Sequence, residues 1–179
     1  MAGEFGITMP EEAQMLIDHY SQKCLRRGWI QISFSVDGLP MSLNHQYDET
    51  LVFCSKDDPG AFQDKRGRWR RRGKSLKPQA LEWRRILLET LGAKRWSWKP
   101  TGITAAVLLF QSPRWLTARR MVRQEDADNK VKPAFDAIES ATTIPDELHW
   151  QFHVFKVLSK RARTTIFLFD LGDIVEYHY

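Results

Sequence analysis

The sequence predicts an α+β domain, a mixed β-sheet of about four to five strands with helices packed against it. Three observations carry this reading. Ile30, Ile32, Phe34 and Val36 alternate with less apolar residues, the pattern of a half-buried strand. Ile103 to Phe110 is apolar nearly throughout, as expected of a central strand covered on both faces. Three segments, 10–26, 78–91 and 130–141, instead carry apolar residues three and four apart, the period of amphipathic helices.

In chain order, Pro10 to Arg26 reads as a helix whose apolar stripe is Ala13, Leu16, Ile17, Tyr20 and Cys24. It is expected to pack on the core or on a second subunit, so residues 1–27 are read as an N-terminal helical extension of a domain spanning 28–179. Trp29 to Val36 is the first strand, and Leu51 to Cys54 a second, shorter one. Pro78 to Leu91 is a helix through Leu81, Ile86, Leu87 and Leu91, opened by proline and closed by Gly92. After the strand at Ile103, a basic connection covers Ser112 to Gln124. A further helix runs from about Lys130 to Ala141, with apolar Val131, Ala134, Phe135, Ile138 and Ala141. Asp128 or Asn129 is its expected N-cap, and Pro133 is expected in its first turn, where a missing N–H costs nothing. Trp150 to Leu158 and Thr164 to Phe169 complete the set as two strands, expected to form a hairpin with a basic tip at Ser159-Lys160-Arg161-Ala162.

At 179 residues and 42% hydrophobic, the chain suffices for one full core. No apolar run approaches the roughly 18 residues that span a bilayer, so a cytoplasmic protein with no membrane partner is expected, bacterial or phage-encoded once the family below is considered. Cys24 and Cys54 are the only cysteines, without CxxC spacing, which excludes a disulfide framework or zinc ribbon. The five histidines are scattered and carry no site. Trp29, Trp83, Trp96, Trp98, Trp115 and Trp150 read as core or interface, and Trp96-Ser97-Trp98 as a candidate dimer surface.

Charge is informative because it is local. The net charge of +5 comes from 27 Lys and Arg against 22 acids, and the excess concentrates in Lys65, Arg66, Arg68, Arg70, Arg71, Arg72, Lys74 and Lys77. Further basic groups lie at Arg84-Arg85, at Arg114 with Arg119, Arg120 and Arg123, and at Lys160, Arg161 and Arg163. Such a distribution suits a polyanion whose phosphates release counterions on binding, and Trp69 within the run is placed to stack on a base. The reading taken is a loop that orders on DNA; a solvated loop without a partner is the alternative.

Against this basic background stands an acidic segment, Asp126-Ala127-Asp128-Asn129, followed by Lys132, Asp136 and the pair Asp146-Glu147. Asp126 and Asp128, two apart, share a face of an extended segment, where a divalent cation relieves their repulsion. The following helix N-terminus favours their ionised forms, and an all-oxygen set suits Mg²⁺ or Mn²⁺. A plain cap-and-loop role for the acids is the other reading of the same residues. Asp128, Lys132 and Asp136 form an i, i+4, i+8 stripe, with Asp136 expected to pair with Lys132. A turn at Thr142 to Pro145 is expected to bring the two acid clusters together.

The set Asp126-X-Asp128-Asn129-X-X-Lys132-X-X-X-Asp136-Ala137-Ile138, then Asp146-Glu147, resembles the signature of the RusA family of Holliday junction resolvases, every interval fitting without a gap. Leu39-Pro40-Met41-Ser42-Leu43-Asn44 resembles that family's Pro-Pro-Ser-X-Asn loop, and the Trp83-Arg84 helix its Tyr-Arg helix; the resemblance covers about Trp29 to Gly172. It implies a RusA-like fold and a Mg²⁺-dependent endodeoxyribonuclease that nicks four-way DNA junctions in pairs, as a homodimer matching the junction's near two-fold symmetry. Asp126, Asp128, Asp146 and Glu147 would hold the metal, with Mn²⁺ as a possible substitute. Asp126, Asp128, Lys132 and Glu147 would be the catalytic set, with Lys132 near the scissile phosphate. Lys65, Arg66, Arg68, Trp69, Arg70, Arg71, Arg72, Lys74 and Asn44 are the expected DNA contacts. Glu147 stands where the family usually has Asp, one methylene shorter. A catalytically weak or inactive nucleic-acid-binding relative is the alternative, and a protein-binding regulator a third.

Overall fold

A computed structural model of the chain describes residues 9–42, 44–92, 94–119, 121 and 127–173; within these, the side chains of Arg95, Trp96, Asp128 and Asp146 lie outside the description. The elements are α1 (Glu11–Arg27), β1 (Gln31–Asp37), β2 (Tyr47–Phe53), β3 (Phe62–Gln63), β4 (Trp69–Leu76), α2 (Pro78–Leu91), a one-turn α3 (Lys94–Ser97), β5 (Thr104–Ser112), α4 (Asp128–Thr142), β6 (His149–Leu158) and β7 (Arg163–Asp170). The fold is α+β. It contains two sheets rather than one, a four-stranded mixed sheet in the order β1-β7-β5-β6 and a three-stranded antiparallel ribbon in the order β2-β4-β3.

β5 is buried at every position and occupies the sheet interior, because its residues are apolar on both faces. Ala106, Leu108 and Phe110 face one layer with Ile166, Leu168, Phe34 and Val36, and α2 and α4 cover that layer with Trp83, Leu87, Leu91, Ala134, Phe135 and Ile138. Ala105, Val107 and Leu109 face the opposite layer with Phe169, and α1 covers it with Ala13, Ile17, Tyr20 and Cys24. The N-terminal helix is therefore one wall of the core. Its register is pinned by Tyr20, whose hydroxyl donates to Gln151 Oε1 at 2.7 Å and lies 2.9 Å from His153 Nε2, and by the Cys24 thiol donating to the Asp170 carbonyl at 3.2 Å. Burial foremost, then the Asp170 charge, pushes the Cys24 thiol up to about 11, which keeps it protonated and inert at neutral pH.

Several expectations are corrected. β6 and β7 do not form a hairpin: β6 pairs in parallel with β5, while β7 pairs antiparallel with β5 on its other side and with β1. The apolar β5 has to lie between two strands, so the 159–162 connection crosses its end, with Ser159 N–H donating to the Ser112 carbonyl. On α2 the buried stripe is Ala80, Trp83, Leu87 and Leu91, and Leu81 is exposed. Trp98 is buried in the core rather than on a dimer surface, whereas Trp150 and Phe152 on the sheet edge at β6 are largely exposed.

The basic run, read from sequence as a loop, is a strand. β4 pairs with β2 from Tyr47 opposite Leu76 to Phe53 opposite Arg70, and with β3 at its start. Leu51, Val52 and Phe53 supply β-forming residues opposite Arg72, Arg71 and Arg70. Asp64 makes the turn: its carboxylate accepts from the Arg66 and Arg68 N–H groups at 2.9 and 3.0 Å and from the Arg68 and Arg70 guanidinium groups at 3.0 and 3.3 Å. The Arg68 N–H first, then Arg66 N–H and the two side chains, hold this carboxyl far below the usual carboxylate range. Gly67 at φ 72° closes the same turn, a conformation that costs glycine little.

Candidate functional site

α4 starts two residues earlier than its apolar period predicts. Its first residue is Asp128, its N-cap is Ala127 in helical conformation, and no side chain caps it; Lys130 N–H donates directly to the Ala127 carbonyl at 2.9 Å. Neither Asp128 nor Asn129 is the cap, since both already belong to the helix. Pro133 consequently lies beyond the first turn and withholds the N–H that the Asn129 carbonyl would accept in a regular helix. The partial positive end of α4 thus falls at Ala127 and Asp128. Asp126 lies outside the described residues, as do the side chains of Asp128 and Asp146, so the placement of these three carboxylates does too.

Lys132 is exposed on the first turns of α4, and its Nζ lies 3.1 Å from Asp136 Oδ1, as the i, i+4 spacing predicts. Asp136 also faces Arg84 of α2 at 3.6 Å, a bridge between helices that fixes its orientation. The turn after α4 is present: Thr143 takes φ 63° and donates its N–H to the Glu139 carbonyl at 2.7 Å. The chain then returns against α4, where the His149 ring packs 4.8 Å from Phe135, seven residues and about 10 Å along the axis from Asp128. Asp146 and Glu147 open this return in a short 3-10 turn, Asp146–Leu148. Glu147 is exposed, and its carboxylate makes no ion pair or hydrogen bond among the described residues.

The expected DNA contacts sort into two groups. On the ribbon, Arg68 and Arg70 are engaged by Asp64, and the Arg70 guanidinium stacks 3.5 Å over the Phe53 ring. Arg71, Arg72 and Lys74 are exposed, and their side chains make no ion pair or hydrogen bond among the described residues. Trp69, Lys65 and Arg66 are likewise exposed near the tip. Asn44 and Lys74 line one open cleft of about 530 Å³ at the ribbon's base, so the loop after β1 and the ribbon do meet.

A second cleft, of about 670 Å³, joins five segments that are remote in sequence: the loop after β1 (Ser42, His45), the start of α2 (Gln79), the turn that ends β5 (Arg114), the first turn of α4 (Lys130) and the connection after β6 (Ala162). Sequence reading missed Lys130 and Asp64. The D-x-x-G spacing of Asp64 and Gly67 is a turn signal that could have revealed the second, whereas nothing in the sequence distinguishes Lys130 from Lys132. No protein-family profile and no curated protein matches the chain.

Proposed function

We propose that this chain is a Mg²⁺-dependent, structure-selective endodeoxyribonuclease acting on four-way DNA junctions, and that it works as a homodimer. The observation that carries the reading is the segment Asp126-Ala127-Asp128-Asn129, with Lys132 following, at the N-terminal end of α4 in a molecule whose ribbon and neighbouring cleft are basic. The donor set of Asp126, Asp128, Asp146 and Glu147 is all carboxylate, which fits a hard divalent cation, and the Glu147 carboxylate is exposed and accessible for it. When bound there, Mg²⁺ supplies Lewis-acid polarisation of a phosphodiester.

The remaining work falls to the chain. The α4 N-terminus adds partial positive charge where phosphate charge develops. Lys132 neutralises the transition-state phosphate after exchanging its Asp136 partner for the substrate, and Asp136 is held back by Arg84. Arg71, Arg72 and Lys74 grip a duplex arm through its phosphates.

The pairing of Lys132 with Asp136 favours one second reading, a RusA-like protein that binds junctions without cutting them. A labelled four-way junction incubated with wild type and Asp128→Asn in Mg²⁺, Mn²⁺ or EDTA, beside linear duplex, separates the two. Symmetric metal-dependent nicks that disappear in Asp128→Asn are expected. Tight binding with no nicks in either metal would leave the second reading in place.

A further inference from the structure

We propose that the ribbon face carrying Trp69 and Arg71 is a site for an unpaired nucleotide, whose base stacks on the indole and whose phosphate is held by the guanidinium. That this nucleotide lies at the branch point of a DNA junction rests on the nuclease reading; the site itself does not.

Residues directly opposite each other on paired strands share a face. The register therefore divides the ribbon. Arg70 with Phe53 and Phe62, Arg72 with Leu51, and Lys74 with Glu49 lie on one face; Trp69 with Gln63, Arg71 with Val52, and Gly73 with Thr50 lie on the other. The two faces differ in what their rings meet. Phe53 carries the Arg70 guanidinium 3.5 Å from its centre and that of Arg68 at 5.4 Å. Trp69 stays 38% exposed, and among the described residues its ring has no cation or aromatic partner and its indole N–H no hydrogen bond. A ligand with a flat apolar face relieves that exposure.

Arg71 stands two residues along the strand from Trp69, about 6.7 Å, the reach from a base to the phosphate of its own nucleotide. Beyond Arg71 the face is low, because Gly73 has no side chain; a Cβ there would lie 3.0 Å from Val52 Cγ1. Another backbone can approach closely along it. Charge decides the class of ligand. Lys65, Arg66 and Arg71 surround this end of the ribbon, so an apolar protein surface seated on Trp69 would have to bury cations. A nucleotide instead brings a π-face and a negative charge together. Under the nuclease reading, its phosphate joins it to the arm that Arg72 and Lys74 grip from the opposite face.

The test measures binding without cleavage. Wild type, Trp69→Leu and Trp69→Phe are titrated in EDTA with a fluorescent single-stranded oligonucleotide, the same strand made abasic, and linear duplex. Trp69→Leu keeps apolar bulk but loses the π-face, and should bind the single strand at least about fivefold more weakly. Its duplex affinity and its salt slopes should stay as in wild type, because no cation is lost. Trp69→Phe should recover part of the loss, and wild type should bind the abasic strand more weakly than the intact one. Unchanged single-strand binding by Trp69→Leu overturns the proposal. So does an equal loss on duplex, which would leave the tryptophan only a part of the ribbon's packing. If Trp69→Leu does not fold, the abasic comparison decides: equal affinity of wild type for the two strands would leave phosphates as the whole ligand and overturn the site. Weakened single-strand binding in Trp69→Leu, with no nicking of a four-way junction by wild type in Mg²⁺ or Mn²⁺, would keep the site and remove the nuclease.

Discussion

The two sheets of this protein are stabilised in different ways. The four-stranded sheet is covered by α1 on one face and by α2 and α4 on the other, and its central strand contributes Ala105 to Phe110 to two apolar layers. The ribbon β2-β4-β3 contributes no residue to either layer, and it exposes Leu51, Phe53, Phe62 and Trp69. What orders it is internal to the ribbon: two cross-strand ladders, the Asp64 turn and the Arg70–Phe53 stack. A layered sheet converts buried area into stability, while a ribbon held by polar contacts leaves its cations accessible to a ligand.

The largest expected effect is at the core. Leu108→Ala, in the centre of β5, should cost about 2–5 kcal/mol in urea unfolding through lost burial and a residual cavity, whereas Phe53→Ala on the ribbon should leave global stability nearly unchanged. A comparable loss from both would show that the ribbon is part of the cooperative core.

Next comes the reverse contrast, in binding. Simultaneous Arg71→Ala, Arg72→Ala and Lys74→Ala should reduce the salt slope of junction binding by up to about 3 while leaving the unfolding midpoint in place. Arg70→Ala should instead disturb the ribbon's order, with a smaller change in slope. If Arg70→Ala removes as much slope as the triple change, the division between structural and DNA-facing arginines is wrong.

The smallest effect is a pH dependence confined to the ribbon. Asp64 titrates in the folded state well below its ordinary value of 3.8, so its contribution is complete above that value and is lost as pH falls through the lower folded one. The Arg66 and Arg68 amide resonances should move in that acid window in wild type and stay still in Asp64→Asn. Movement centred near the ordinary carboxylate value would show that the turn is not held by this carboxylate.

Local patterns made much of this legible in advance. The alternation of β1, the uninterrupted apolar run of β5 and the stripe of α1 need only one periodicity each, and each lies where that periodicity puts it. The Lys132–Asp136 pair follows from i, i+4 spacing alone. The basic run was opaque because arginine has no strong strand signal; its conformation is decided by the partner strand β2, some twenty residues away, and by a carboxylate on a turn. The start of α4 is not legible in the sequence, because acids before an apolar stripe look like caps even where they already belong to the helix.

By itself, the sequence determined the periodic elements, the acidic segment that opens α4 and the sign of the surface charge, since these depend on neighbouring residues and composition. Tertiary structure alone decided that β5 lies between β6 and β7, that the basic run pairs into a ribbon, and that Lys130 and Arg114 meet across a cleft. Those outcomes depend on which distant surfaces exclude water from one another, and no local pattern encodes that choice.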